Sequence, residues 1–368
     1  MKKSFAQIVA AERKEAIERV LSKVPEWMGA ELTVPSRLAS EQCSSGATAL
    51  YKARLIGDCK AVADLTGGLG VDSWAFAQKS EIVYHNELNQ ELSEAVRANF
   101  AALGLSNVEF SAEDAAQRLE SLPEVDAIYL DPSRRDGAGK KVFLVEDCRP
   151  DVLALLPKLF EKAPLLVVKL SPMADITMLR ERFFPKLKEL HIVSLKGEVK
   201  ELLLVLARED CKNVSITATD LQSELTFTPD EEQQSLAVYP STEAELTGAL
   251  LYEPDPAITK AGAFKLICGR YGLKKLARFT HLYLAPEKRA FGKYFTVLDV
   301  FDWGREGFKA CAAKYPASEV SARNVPMSSD ELRSRLKVRS AVDYHIFGVT
   351  LDLPEGPVRK LIAAKRDS

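Results

Sequence analysis

Apolar side chains recur at Phe5, Ile8, Val9, Ile17, Val20, Leu21 and Val24, with Glu and Lys between them. That spacing predicts an amphipathic helix over residues 5–24. Residues 35–55 are rich in small side chains, hold Arg37 and Glu41, and predict a second helical region. From residue 60 the period changes. Short apolar runs read as strands: Ala61-Val62-Ala63-Asp64-Leu65, Ile82-Val83-Tyr84-His85, Val108-Glu109-Phe110, Ala127-Ile128-Tyr129-Leu130 and residues 165–170. Helical stretches lie between and after them: one holding Trp74, Phe76 and Ala77, then residues 91–103 ended by Gly104, 115–119, 151–160 and 176–184. Residues 191–195 and 202–206 predict a closing hairpin. Strands alternating with helices predict an α/β fold with a doubly wound, mostly parallel sheet.

Beyond residue 208 the alternation weakens. Residues 215–228 read as strand and loop, and 266–278 as mixed, with a basic cluster at Lys274, Lys275 and Arg278. Leu282-Tyr283-Leu284 and Phe295-Thr296-Val297-Leu298 predict strands flanking a basic loop at 287–293. Residues 329–336 predict a helix capped by Ser328 or Ser329. Residues 344–351 predict the final strand. Short strands around helices point to a small α+β appendage.

Composition narrows the class. The chain has 368 residues, 46% hydrophobic and 28% charged, enough to build the cores of two or three domains. Its apolar runs fall far short of the ~20 residues a bilayer needs. Charges at Glu12, Arg13 and Lys14 interrupt any signal-peptide core, so a cytoplasmic chain is expected. The six cysteines form no CxxC pair, and the four histidines show no metal-binding spacing, so buried thiols and no metal are expected. Net charge is −2, but residues 260–368 hold 21 basic and 11 acidic side chains, against 29 and 41 in the remainder. A basic module fused to an acidic one suggests a polyanionic partner.

Where the first predicted strand meets its helix stands Asp64-Leu65-Thr66-Gly67-Gly68-Leu69-Gly70. Glycines there let the backbone curl and approach a ligand closely. Gly68-x-Gly70-x-x-Ser73 nearly matches the dinucleotide fingerprint, with Ser for the third Gly. A carboxylate at Asp64 opposes a pyrophosphate and suits a cationic ligand. Glu87 follows the second strand, where an acid can accept two ribose hydroxyls. Asp114 follows the third, where an acid or its neighbouring backbone can hold an adenine edge. The fourth strand ends in Asp131-Pro132-Ser133-Arg134-Arg135. Asp131 can accept a hydrogen bond or proton from an amine or ring N–H. Arg134 and Arg135 can clamp phosphates or stack on a base.

These runs resemble a class I S-adenosylmethionine-dependent methyltransferase, with motif I at 64-DLTGGLG-70, motif II ending at Glu87 and motif IV at 131-DPSRR-135. More finely, the chain is similar to bacterial methyltransferases carrying a ferredoxin-like domain and a C-terminal THUMP-like domain. Those likenesses lie in 41-EQCSSGATALYKARL-55, 87-ELNQEL-92, 198-EVKELLL-204, 260-KAGAFKL-266 and 323-RNVPMSSDELRSRLKV-338. The resemblance implies a helical N-terminal segment over 1–56, a Rossmann-like seven-stranded methyltransferase domain with extension over 57–275, a ferredoxin-like domain over 276–320 and a THUMP-like domain over 321–368. It implies S-adenosylmethionine as cofactor, held by Asp64, Thr66, Gly67, Gly68, Gly70, Glu87 and Asp114, and RNA as substrate. Asp64 and Gly68 would lie near the methionine moiety, Glu87 at the ribose and Asp114 near the adenine. Asp131 and the Pro132 carbonyl would hold the nucleophilic nitrogen. Arg134 stands where exocyclic-amine methyltransferases carry a stacking aromatic.

Lys169, after the fifth strand, is expected on the substrate side, with Glu198 and Lys200 approaching from the last hairpin. Lys288, Arg289, Lys293, Arg323, Arg333, Arg335, Lys337 and Arg339 are expected to meet phosphates, Arg335 and Arg339 sharing one helix face. Two other readings are a non-catalytic RNA-binding protein that retains this fold and a nicotinamide-dependent oxidoreductase. The latter lacks an evident hydride-handling set.

Overall fold

The computed structural model describes residues 5–133 and 148–367. Seven strands organise the first part: β1 (Cys59–Asp64), β2 (Ser80–Asn86), β3 (Val108–Ser111), β4 (Ala127–Leu130), β5 (Leu165–Leu170), β6 (Leu187–Leu195) and β7 (Glu198–Ala207). They occupy the first seven places of a nine-stranded sheet, in the order β3-β2-β1-β4-β5-β7-β6. The pairs from β3 to β5 are parallel, and β7 runs antiparallel to β5. All four β4 residues are buried, as are Leu166, Val167 and Val168 of β5. Such uninterrupted apolar runs suit strands covered on both faces. The order reverses between β1 and β4, and a sheet of this kind opens a crevice outside its strand ends at that point.

Register sets the polar residues. Asp64 pairs with Tyr129, Tyr129 with Val167, and Lys169 with Leu203. Side chains alternate along a strand, so Asp64, Tyr129, Lys169 and Glu201 share one face. The N-terminal segment belongs to the same core. Val20 and Val24 are fully buried, and Trp27 meets Trp74 edge-on at 6.2 Å between ring centroids. The helical region expected over 35–55 is two helices, Arg37–Gln42 and Gly46–Ile56. The break falls at Ser45, whose hydroxyl accepts the Thr48 N–H and starts the second helix.

The chain divides into two compact units: Met1–Val193 with Lys200–Ser215, and Ser194–Val199 with Ile216–Ser368. In the second, β8 (Ser215–Thr219) and β9 (Glu224–Phe227) form an antiparallel pair. The remaining strands are β10 (Leu250–Pro254), β11 (Lys274–Ala277), β12 (Thr280–Ala285), β13 (Gly292–Asp302), β14 (Glu319–Arg323), β15 (Tyr344–Leu353) and β16 (Gly356–Arg366). They form one sheet ordered β11-β12-β10-β13-β16-β15-β14.

Two expectations change here. The strand at 344–351 is not the last, because β16 pairs along β15 and buries Leu361, Ile362, Ala363 and Ala364. Alanines and adjacent Arg359-Lys360 hid it, since neither favours a strand. Arg335 and Arg339 do not share a helix face. The helix Ser329–Leu336 ends at Lys337, which takes the left-handed conformation at φ +56°. Its start is as expected, with Ser328 and Glu331 forming a capping box. Among the described residues no helix is long and apolar enough to cross a membrane, and no group of His, Cys, Asp and Glu could hold a metal ion.

Candidate active site

The glycine turn hangs between the ends of β1, β2 and β4. The Gly67 N–H donates to the Asn86 carbonyl at 2.8 Å and the Leu65 N–H to the Tyr129 carbonyl at 3.1 Å. A Cβ on Gly67 would lie 2.0 Å from the His85 ring, so no larger residue fits there. Gly68 has φ +54°, and a Cβ on it would meet nothing closer than the Thr66 carbonyl at 4.0 Å. It therefore borders an open cradle at the strand edge. Gly70 caps the helix Val71–Ala77. Ser73, in place of the third glycine, is fully buried and donates to Asp64 Oδ2 at 2.6 Å.

Glu87 folds back onto this turn. Its Oε2 accepts the Gly68 N–H at 2.9 Å and its Oε1 the Asn89 N–H at 2.9 Å. Asp114 is exposed and caps the helix Ala115–Ser121 through the Ala116 N–H. Asn86, which sequence reasoning passed over, ties these ends together. Its amide donates to the Leu65 and Glu113 carbonyls and accepts from the Ser111 hydroxyl and the Glu113 N–H. The available signal was its place directly before Glu87 at a strand end.

Thr66 joins the turn to the Asp-Pro corner: its Oγ1 accepts the Asp131 N–H at 2.6 Å. The Asp131 carboxylate is 37% exposed and its Oδ2 accepts from Lys169 Nζ at 2.6 Å. Pro132 is buried behind it. Thr66, Gly67, Gly68, Glu87, Asp131 and Lys169 thus meet at one sheet edge, above a buried Asp64. Lys169 faces Asp131 directly. Arg134 and Arg135 lie outside the described residues. Glu198 and Lys200 are exposed on their hairpin strand, and the buried acid is Glu201, one residue further. Alternation along β7 puts 201 on the face opposite to 198 and 200.

A second polar cluster lies beneath. Lys52, from the helix Gly46–Ile56, is fully buried. Its ammonium is 2.9 Å from Asp72 Oδ1, 3.1 Å from Glu201 Oε2 and 2.9 Å from Ser44 Oγ. Asp72 Oδ2 accepts from the Ser44 hydroxyl at 2.9 Å and the Tyr129 hydroxyl at 3.0 Å. Sequence reasoning missed Lys52, Asp72 and Tyr129, because buried charge in a helical or apolar run looks like surface charge.

The whole chain matches a solved structure. A candidate methyltransferase from Porphyromonas gingivalis W83 is 31% identical, over 97% of this chain and 90% of that one, with a TM-score of 0.86. The chain belongs to this methyltransferase family. Residues 250–291 match a ferredoxin-like domain family, overlapping the expected 276–320 segment only over 276–291. M. capricolum TrmK in complex with S-adenosylhomocysteine is 14% identical over 44% of this chain and 68% of that one, with a TM-score of 0.34. An rRNA methylase from Streptococcus thermophilus is 16% identical over 50% and 100%, with a TM-score of 0.33. No curated protein matches the chain in sequence.

The electrostatics of the methyltransferase follow from burial. Asp64 is fully buried, and desolvation pushes its carboxyl up to about 7 despite the Ser73 hydroxyl and the Thr66 N–H. His85, also buried, is pushed down to about 3 by burial, with the Arg97 charge adding to it. Its Nδ1 lies 2.9 Å from Ser73 Oγ and its Nε2 has no hydrogen-bond partner among the described residues. For Lys169, burial opposes the charge, but the carboxylates of Asp131, Glu201 and Asp72 override it and raise the ammonium above its ordinary range. In Asp72, burial is likewise overridden, chiefly by Lys52, and the carboxyl stays below its ordinary range.

Proposed function

We propose that this methyltransferase is S-adenosylmethionine-dependent and methylates a base nitrogen in structured RNA. The carrying observation is Glu87 bound to the Gly68 N–H beside an open cradle, at the sheet's reversal point, on a turn whose Thr66 Oγ1 accepts the Asp131 N–H. In this reading the first unit is a class I, Rossmann-like seven-stranded methyltransferase domain, and 321–368 is THUMP-like.

The donor set fits the cofactor. Glu87 has lone pairs left for two ribose hydroxyls after taking two backbone N–H groups. A pyrophosphate would meet that carboxylate where it needs a free Gly68 N–H, which disfavours a nicotinamide dinucleotide. Gly68 borders the methionine side, the buried Asp64 braces the turn from beneath through Ser73 and the Thr66 N–H, and Thr66, Gly67 and Gly70 shape it. The backbone around Asp114 borders the adenine side. When bound, S-adenosylmethionine supplies a methyl group activated on a sulfonium.

The rest is done by this chain. Lys169 holds Asp131 Oδ2, which leaves Oδ1 to accept an N–H of the target, with the Pro132 carbonyl as second acceptor. Fixing the nucleophile contributes several kcal/mol through alignment. Asp131 or a water then takes the proton that the methylated nitrogen sheds. Burial and the ion pair keep the corner's charge in place before reaction.

The basic C-terminal part supports RNA as substrate. Several cations there are already paired: Arg323 and Lys293 with Glu253, Lys288 with Asp367, and Arg289 with Glu287. Arg335, Lys337 and Arg339 are exposed and suit phosphates. The test is transfer of radiolabelled methyl groups into bulk RNA from a strain lacking this protein, followed by nucleoside mass spectrometry. Label in one modified nucleoside is expected. Replacing Arg335, Lys337 and Arg339 by Ser should flatten the salt dependence of RNA binding by roughly 0.9 per charge removed. Cofactor binding without label in any RNA, or an unchanged slope, contradicts the RNA assignment.

A further inference from the structure

The row of charges behind Asp131 is unbalanced. Among the described residues, three carboxylates, Asp131, Asp72 and Glu201, share two ammoniums, Lys169 and Lys52. Lys52 is not part of the glycine turn or the Asp-Pro corner, and it comes from the helix Gly46–Ile56. We propose that Lys52 is a positioning residue for methyl transfer: by neutralising Asp72 and Glu201, it leaves Lys169 to Asp131. The inference rests on the assignment of Asp131 to the reacting corner.

Register brings the groups within one another's reach. Lys169 stands opposite Leu203, so Glu201 is its diagonal neighbour on the same face of β5 and β7. Tyr129, two residues before Asp131, donates to Asp72 and lies under the Lys52 ammonium at 5.7 Å from its ring centroid. The carboxylates of Asp72 and Glu201 both act on Lys169, and burial raises the Glu201 carboxyl against the pull of Lys52 and Lys169. Glu201 Oε1 is buried and accepts no hydrogen bond among the described residues, so it is an open acceptor on the face that carries Lys169. A buried acceptor of this kind is costly to leave unmet. With Lys52 present, Glu201 has its cation and Lys169 stays 2.6 Å from Asp131 Oδ2. Without it, Lys169 is left as the cation between Asp131 and Glu201 among the described residues, and its four-carbon stem can turn to Glu201. Asp131 would then lose the contact that orients it, and misplacement by about 1 Å can cost roughly 100-fold in rate.

The test is a set of crystal structures with parallel kinetics. In Lys52→Met, Lys169 Nζ is expected to leave Asp131 for Glu201, moving beyond the roughly 4 Å of an ion pair. The kcat should fall about 100-fold, while S-adenosylhomocysteine affinity changes less than about threefold, the signature of lost positioning rather than lost binding. In Lys52→Met/Asp72→Asn/Glu201→Gln neither of these two competing carboxylates remains, so Lys169 should return to Asp131 and kcat should recover. Where Lys52→Met does not fold, Lys52→Met/Asp72→Asn keeps the Glu201 competitor and makes the same comparison. Lys169 remaining on Asp131 in either variant overturns the proposal, as does a triple variant with the contact restored but kcat still low. Failure of the cofactor assignment would show separately, as a wild-type protein that does not bind S-adenosylhomocysteine. The Lys169 position is read from coordinates in any case.

Discussion

Asp131→Asn is expected to lower methyl transfer by about 100- to 1,000-fold while S-adenosylhomocysteine still binds. The substitution keeps the side chain's shape and the Asp131 N–H bond to Thr66, so the glycine turn is undisturbed. It removes the negative charge that Lys169 holds at 2.6 Å and leaves one acceptor oxygen, so the amide cannot serve both Lys169 and the target's N–H, nor take a proton. A positioned proton acceptor contributes about 10²–10⁴-fold, and the loss should fall within that span. The cofactor side rests on Glu87, which meets the turn on a different strand end. Titration calorimetry should therefore give the same affinity for both proteins, and single-turnover transfer should separate them. Full turnover by the variant would remove Asp131 from the chemistry.

Asp64→Asn is expected to change how stability depends on pH. In the wild-type protein two buried groups, linked through Ser73, titrate in opposite senses. Asp64 is pushed up to about 7, so folding favours its protonated form. The stability this supplies is fully present below the unfolded carboxyl value and disappears as pH rises through 7. His85 is pushed down to about 3, so folding favours neutral imidazole. That contribution is present above about pH 6.5 and is lost as pH falls toward 3. At ~1.4 kcal/mol per unit, each amounts to roughly 3 kcal/mol between pH 7 and pH 4, and they offset. The substitution removes only the first. On going from pH 7 to pH 4, the variant should lose roughly 3 kcal/mol more than the wild type in urea unfolding. Parallel stability curves would show that Asp64 does not carry a buried proton.

Much of this architecture is legible in the residues themselves. The apolar runs of β4 and β5 mark buried parallel strands, and the glycines after Asp64 mark the close turn. Asp131-Pro132 marks a strand end whose carboxylate faces the crevice. What escapes is the polar layer beneath. Lys52 lies in a helical stretch where a lysine ordinarily faces water, and Glu201 precedes a run of leucines that reads as core. Only the register of β7 against β5 brings Glu201 to the Lys169 face. The same reason hides Ser73 and His85, whose pairing depends on how helix Val71–Ala77 packs on β2. In the second unit, the left-handed turn at Lys337 and the strand β16 depend on long-range pairing rather than on local preference. Long-range pairing overrides propensity most easily where propensity is weak.

The central claim is that the cradle beside Gly68 holds an S-adenosyl nucleoside with its sulfur toward Asp131. A crystal structure grown with S-adenosylhomocysteine measures this directly. The expected result is a ribose on the Glu87 carboxylate, the chain passing Gly68 and the sulfur facing the Asp131-Pro132 corner. Density for the ligand elsewhere, or a Gly68 cradle without ligand density at saturating concentration, would contradict the claim.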